Sequence, residues 1–254
     1  MSAKHLIVNA DDLGMSEGVN TGIVEAHRRG IVTSASLMVK RPRAAAAAAL
    51  ARTAPKLGLG LHIDLTEWEP VEGESRLMYS RADLTDRSEV AKEIAQQLEI
   101  FIELVGHKPD HLDSHQHVHL QGHPREESFR LARELGVPLR GIDGGIAFCG
   151  RFYGQKGRNE PDPEAITKTN LLRLVRESEA GWMELMCHPG IARNLHSVYA
   201  SERELELEVL CDPTVREALN AMGVELASFS DLPRSHEHRR GIFGRPGQAA
   251  TTVG

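Results

Sequence analysis

Cysteine is scarce in this chain. Cys149, Cys187 and Cys211 lie far apart with no CxxC spacing, which argues against a disulfide framework and a zinc ribbon and suits a reducing compartment. Aromatic residues make up only 4%, too few for an extended stacking platform. Long apolar runs are missing too: the longest, Ala44–Ala51, falls far short of the roughly 20 residues that span a bilayer. Met1–Asp12 reaches two carboxylates before the apolar stretch of a secretory leader could form. Positive charge is not in excess, with 30 Lys and Arg against 36 Asp and Glu and a formal charge of -6, so the basic footprint of a nucleic-acid binder is absent. These shortages predict a cytoplasmic protein with no integral membrane segment and no nucleic-acid partner. No GxGxxG turn follows the first apolar run, which removes support for a dinucleotide-binding fold.

What is present is an alternation of strand and helix signals over a length of 254 residues, enough for one β/α barrel. His5–Asn9 is a short strand, and Ser16 caps a helix with Val19, Ile23 and Ala26 on one face and Gly30 as its stop. Thr33–Val39 and Gly58–Leu65 are further strands, the second alternating Leu59, Leu61, Ile63 and Leu65 with His62 and Asp64. Asp86 and Glu89 form a capping box before a stripe of Val90, Ile94, Leu98, Phe101 and Leu104 that stops at Gly106. His111–Val118 and Pro138–Ile142 are predicted strands on either side of a Pro124–Leu135 helix. Asp162-Pro163 predicts a helix start running to about Glu177, Trp182–Cys187 a strand, Ser201 with Glu204 and Asp212-Pro213 two more helix starts, and Val224–Phe229 a closing strand. About seven parallel strands covered by helices imply a distorted, incomplete (β/α) barrel. Residues 1–232 are expected to form one domain. Residues 233–254, richer in Arg than in acid, are expected to be a tail, flexible or packed on a neighbouring subunit, and a C₂ dimer is the expected assembly.

In such folds chemistry sits where the strands finish. Three ends carry groups a metal accepts: Asp11-Asp12, His62 with Asp64, and the stretch His111-Leu-Asp-Ser-His-Gln-His-Val-His119; a fourth brings His188. Six of the 13 histidines lie between His107 and His123. Along a strand, His111, Asp113, His115, His117 and His119 would share one face. Same-face neighbours are about 6.6 Å apart, whereas a metal–imidazole bond is about 2 Å, so only one or two could reach a single ion. Spacing does not choose among His115, His117 and His119. One carboxylate with two imidazoles suits a catalytic ion with open positions, and a second Asp beside the ligand is where a general base is wanted. This constellation points to hydrolysis.

The segments Leu6-Ile-Val-Asn-Ala-Asp-Asp-Leu-Gly14, Gly60-Leu-His-Ile-Asp-Leu65, His111–His119 and Cys187-His-Pro-Gly190 resemble the signature of the YdjC-like carbohydrate deacetylases, which include chito-oligosaccharide and hopanoid-associated members. The resemblance runs from about residue 4 to 232, leaving out the Glu67–Asp86 loop and the tail. It implies a distorted β/α barrel and a divalent metal, zinc or magnesium, with manganese or cobalt as further options. It also implies hydrolysis of the N-acetyl group of an amino sugar with release of acetate. Carried over by position, Asp12, His62 and His115 would be the metal ligands and Asp11 the base. His188 would be the acid that protonates the leaving amine, and Arg140 would be a substrate contact. Trp68, just past the His62 strand, is a candidate for stacking a sugar ring. Two other readings stand beside this one: a metal-dependent hydrolase of a phosphoester or cyclic amide, and a non-catalytic barrel that binds a metal or sugar.

Overall fold

The computed structural model describes residues 4–157, 160–179, 181–193, 195 and 197–233. Apart from Pro233, the expected tail lies outside them. The chain runs β1 (Lys4–Leu13), α1 (Glu17–Arg29), β2 (Ser34–Leu37), α2 (Ala44–Ala51), β3 (Gly58–Ile63), then a hairpin of β4 (Thr66–Val71) and β5 (Glu74–Ser80). It continues through α3 (Arg87–Val105), β6 (Leu112–Ser114), α4 (Gly122–Leu135), β7 (Ala147–Cys149), the small pair β8 (Gln155–Lys156) and β9 (Glu160–Pro161), and α5 (Lys168–Glu177). It finishes with β10 (Trp182–Cys187), α6 (Ala200–Cys211), α7 (Pro213–Ala221) and β11 (Val224–Leu226).

Seven strands form one sheet in the order β6-β3-β2-β1-β10-β7, with every pairing parallel. β11 pairs with the first residues of β1, Lys4–Leu6, on the edge that β2 takes up from Asn9 onward. A single parallel bridge, Leu112 to Leu139, is all that forms of the strand expected over Pro138–Ile142. The path does not close on itself, and the expectation of a distorted, incomplete barrel of seven parallel strands holds. β1 is buried without a break from Leu6 to Leu13, and β3 along its whole length, as strands covered on both faces must be.

Helix ends follow local chemistry where the capping residue is short and polar. Ser16 accepts from the Val19 N–H, Asp86 from Ser88 and Glu89, and Asp212 from Thr214. Gly106 and Gly136 end α3 and α4 in the left-handed conformation. Two starts differ from expectation. Asp162-Pro163 opens only a 3-10 turn, and α5 begins after it with Thr167 as its cap. α6 begins at Ala200, before the expected Ser201 cap, with no side chain closing it. The Glu67–Asp86 segment, expected as a loop, is largely the β4–β5 hairpin.

Candidate active site

The site begins with a fault in β1. Adjacent strand residues normally point to opposite faces. Here the β1–β2 register shifts between Ala10 and Leu13, and Asp12 takes φ +69°, a left-handed conformation that non-glycine residues rarely adopt. The bulge turns Asp11 and Asp12 into one buried cluster at the strand's end.

Asp12 Oδ1 lies 3.1 Å from His115 Nδ1 and 3.5 Å from His62 Nε2. One donor atom from each of the three residues falls within 4.8 Å of the others, and all three residues are buried. The other Asp12 oxygen is held by Arg203 Nη2 at 2.5 Å. Burial alone would raise the Asp12 pKa, but Arg203 and the two imidazoles overcome it and hold the carboxyl well below its usual range. Burial likewise opposes charge on His62, yet Asp113 at 2.8 Å from Nδ1, with help from Asp12 and Asp11, lifts it to about 10. The field that keeps a proton there is one in which a divalent cation fits in the proton's place. Asp113 fixes the His62 ring from behind, the arrangement usual for an imidazole whose other nitrogen binds metal.

A second combination, Asp11 with His62 and Asp113, also brings donor atoms together. Its carboxylates are already committed to Arg140. Arg140 Nη1 and Nη2 grip the two Asp11 oxygens at 2.6 and 2.7 Å, Nη2 meets Asp113 at 2.8 Å, and Nε donates to Glu184 at 2.6 Å. Arg140, expected as a substrate contact, is 4% exposed, and its guanidinium is the buried anchor for three carboxylates. It overcomes the effect of burial on Asp11 and keeps that carboxyl ionised.

The histidine-rich stretch also departs from expectation. β6 ends at Ser114, and Gln116 and His117 both take left-handed angles (φ +50° and +53°) inside a 3-10 segment, His115–Leu120. The shared strand face is lost. His115 turns to Asp12, whereas His119 turns inward to Ser114 Oγ and the Arg140 carbonyl. His117 packs edge-on against Phe148, and burial together with Arg140 pushes its pKa down to about 3. His111 is wedged against Phe229, with ring centroids 3.9 Å apart. A Cβ at Gly60 would meet that ring at 2.3 Å, which is why glycine stands there. Asp64 is taken up by Arg41, Arg81 and the Tyr79 hydroxyl.

His188 sits on the far side of Asp11, its Nε2 3.9 Å from Asp11 Oδ2, edge-on to the stacked rings of Tyr153 and Tyr199. Burial, and then the positive Arg203 and Arg140, push it down to about 4, so at rest it is neutral. Beneath it lies Glu206, which accepts from the His188 backbone N–H and the Tyr199 hydroxyl and which burial raises to about 8. Trp68 is 46% exposed on the hairpin beside this cluster, with its backbone N–H and C=O both bonded to the Gln116 amide.

A family model described as YdjC-like protein matches residues 5–221. The chain belongs to the YdjC-like family. A chitooligosaccharide deacetylase from Serratia marcescens is 38% identical, with 90% of this chain and 99% of that protein aligned. The protein of the same name from Salmonella typhimurium (strain LT2) is 35% identical over 89% and 98%. Among solved structures, a candidate cellobiose-phosphate cleavage protein from Enterococcus faecalis V583 has a TM-score of 0.72 at 29% identity, covering 90% of this chain and 98% of that one. A family 4 carbohydrate esterase from Streptomyces lividans, at 13% identity and TM-score 0.54 over 91% and 96%, shares the fold.

Within this YdjC-like chain the residues read from the signature segments occupy one locus: Asp12, His62 and His115 together, with Asp11 and His188 alongside. The partners that reading left out come from elsewhere. Arg203 and Glu206 lie on α6 and Glu184 on β10, all buried. α6 did carry a signal. Tyr199, Glu202, Arg203 and Glu206 recur at helical spacing and are buried, while Leu205 is 42% exposed, an inversion of the usual amphipathic pattern.

Proposed function

We propose that this protein is a metal-dependent carbohydrate deacetylase that hydrolyses the N-acetyl group of an amino sugar and releases acetate. The observation that carries the reading is the convergence of Asp12, His62 and His115, from three strand ends, beside an ionised Asp11 and across from His188. The names of the relatives, chitooligosaccharide deacetylases at 35 and 38% identity, support the choice of bond. Asp12, His62 and His115 would hold the cation, with zinc, magnesium, manganese and cobalt all suited to such donors. When bound, it would supply polarisation of the acetamide carbonyl and a lowered pKa for water.

The protein's own groups then have distinct tasks. Arg140 holds Asp11 in place and ionised, ready to take a proton from the attacking water. As water adds to the carbonyl carbon, the amide nitrogen must be protonated before the C–N bond can break. His188, neutral at rest, can pass on the proton that Asp11 has accepted, its Nε2 being 3.9 Å from Oδ2. Acetate and the free amine are the products. The hairpin with Trp68 borders the cluster and offers one aromatic face for a sugar ring.

A phosphoester is the poorer candidate substrate. The guanidiniums of Arg140 and Arg203 are taken up by Asp11, Asp12, Asp113 and Glu184, so the cluster presents carboxylates where a phosphoryl group needs free positive charge. The test is acetate release from N-acetylated chito-oligosaccharides and from a glycolipid-linked N-acetylglucosamine, with and without chelator, alongside phosphate release from sugar phosphates. Chelator-sensitive acetate is expected. Phosphate without acetate would overturn the proposal, and sugar binding without either product would make the protein a non-catalytic binder.

A further inference from the structure

The two candidate imidazole ligands are backed differently. His62 has Asp113 at 2.8 Å from Nδ1 and turns Nε2 to Asp12. His115 is placed the other way round: Nδ1 faces Asp12 at 3.1 Å and Nε2 is turned to Glu67. His115 Nε2 is buried and makes no well-directed hydrogen bond, and the oxygen nearest to satisfying it is Glu67 Oε1 at 3.4 Å. An imidazole that gives one nitrogen to a cation keeps its proton on the other, and a buried N–H needs an acceptor.

We propose that Glu67 is the positioning residue for His115, accepting from its Nε2–H as Asp113 does from His62, so that the β4–β5 hairpin sets the affinity of the cation site. The inference rests on the cation site proposed above. Glu67 is held for this task. Its other oxygen, Oε2, accepts from Arg41 Nη2 at 2.6 Å, which leaves Oε1 for His115. Arg41 is itself fixed by Asp64 and the Tyr79 hydroxyl, and Tyr79 is the cross-strand partner of Glu67. One residue on, the Gln116 side chain bonds both backbone groups of Trp68, at 2.9 and 2.7 Å, and so ties the hairpin to the segment that carries His115. The left-handed angle of Gln116 therefore has a use: it brings that amide alongside β4 as a strand's backbone would lie.

The experiment measures the Kd for Zn²⁺ or Mn²⁺ by competition calorimetry on the full chain, for the wild type, Glu67→Ala, Glu67→Gln and Glu74→Ala, the last an exposed hairpin residue. Glu67→Ala is expected to weaken binding about 10- to 100-fold. Glu67→Gln, which keeps an oxygen acceptor, should recover most of the loss, and Glu74→Ala should match the wild type. Nitrogen-15 NMR of the cation-loaded protein should show His115 bonded through Nδ1 with its proton on Nε2. A Glu67→Ala affinity within threefold of wild type overturns this inference alone, as does coordination of His115 through Nε2. A wild type that binds neither ion overturns the site and this inference together.

Discussion

At the residue scale the site is a balance of buried charges, and the sharpest consequences fall on Asp11 and Glu206. Asp11 lies outside the proposed ligand set and is held by Arg140, so Asp11→Asn should leave cation affinity within a few-fold while kcat falls by roughly 10²- to 10⁴-fold, the span of a lost general base. Paired measurement of kcat and metal Kd checks this, and full turnover in the variant removes Asp11 from the role. Glu206 gives a pH effect of definite sign. Its carboxyl titrates near 8 in the folded chain against an ordinary 4.5, because burial disfavours its charge. Between those pH values the folded state holds a proton the unfolded state has lost, so this stabilisation is complete below about 4.5 and declines as pH rises towards 8. Glu206→Gln, which keeps an acceptor for Tyr199, should flatten the fall in Tm between pH 5 and 8.5 by the equivalent of up to a few kcal/mol. Parallel melting curves in wild type and variant with the same slope would show that Glu206 titrates normally. Asp11, Asp12 and His62 were legible from sequence because they end strands. Glu206 and Arg203 were not, because their meaning depends on what α6 is packed against.

At the scale of elements, α1 shows how a helix without catalytic residues places the acid candidate. Gly22 lies mid-helix, where Ala would ordinarily stabilise by about 1 kcal/mol. A Cβ there would come within 2.6 Å of the Gly190 Cα, and one at Gly18 within 2.0 Å of the Ile191 carbonyl oxygen. The helix thus meets the His188-Pro189-Gly190 turn backbone to backbone, and Ile191 N–H donates to the Gly18 carbonyl at 3.0 Å. Overpacking costs typically 1–3 kcal/mol, which outweighs the propensity gain. Gly22→Ala should therefore be destabilised by up to about 2 kcal/mol and lose turnover through displacement of His188. Urea unfolding with kcat assays decides it, and a stabilised, fully active variant would refute the packing argument. The starts of α1, α3 and α7 could be read from Ser16, Asp86 and Asp212 because a cap is a local event. The end of β6 could not. Nothing in His-Gln-His announces two left-handed residues, and the conformation is held by partners remote in sequence, the Trp68 backbone and Asp12. The β4–β5 hairpin was missed for a related reason: β5 is almost wholly exposed and β4 only partly buried, so no run of apolar burial marks it.

For the whole molecule, an all-parallel sheet explains why residues at 12, 62 and 115 meet. Each lies at or just past the carboxyl end of a strand running the same way, so the three collect at one edge. β1, β2, β3 and β6 are neighbours in that sheet, and the three candidate ligands sit on or just beyond the first, third and fourth of these. A cation bound by all three would cross-link β1 to the β3–β6 pair across the intervening β2, and it would bind the folded chain far better than the unfolded one. At a free concentration of 100 Kd, such a ligand stabilises by about 2.7 kcal/mol. For a chain of this size, 1 kcal/mol moves Tm by roughly 2–4 °C, so the expected rise over chelator-treated protein is about 5–10 °C. Asp12→Asn should abolish most of the rise, whereas Asp11→Asn should keep it, since Asp11 is bound by Arg140 and lies outside the ligand set. Thermal denaturation with each of Zn²⁺, Mn²⁺, Co²⁺ and Mg²⁺ would rank the ions by the same measurement. Equal melting temperatures with and without every ion, or an undiminished rise in Asp12→Asn, would mean that the strand ends converge for a reason other than a cation.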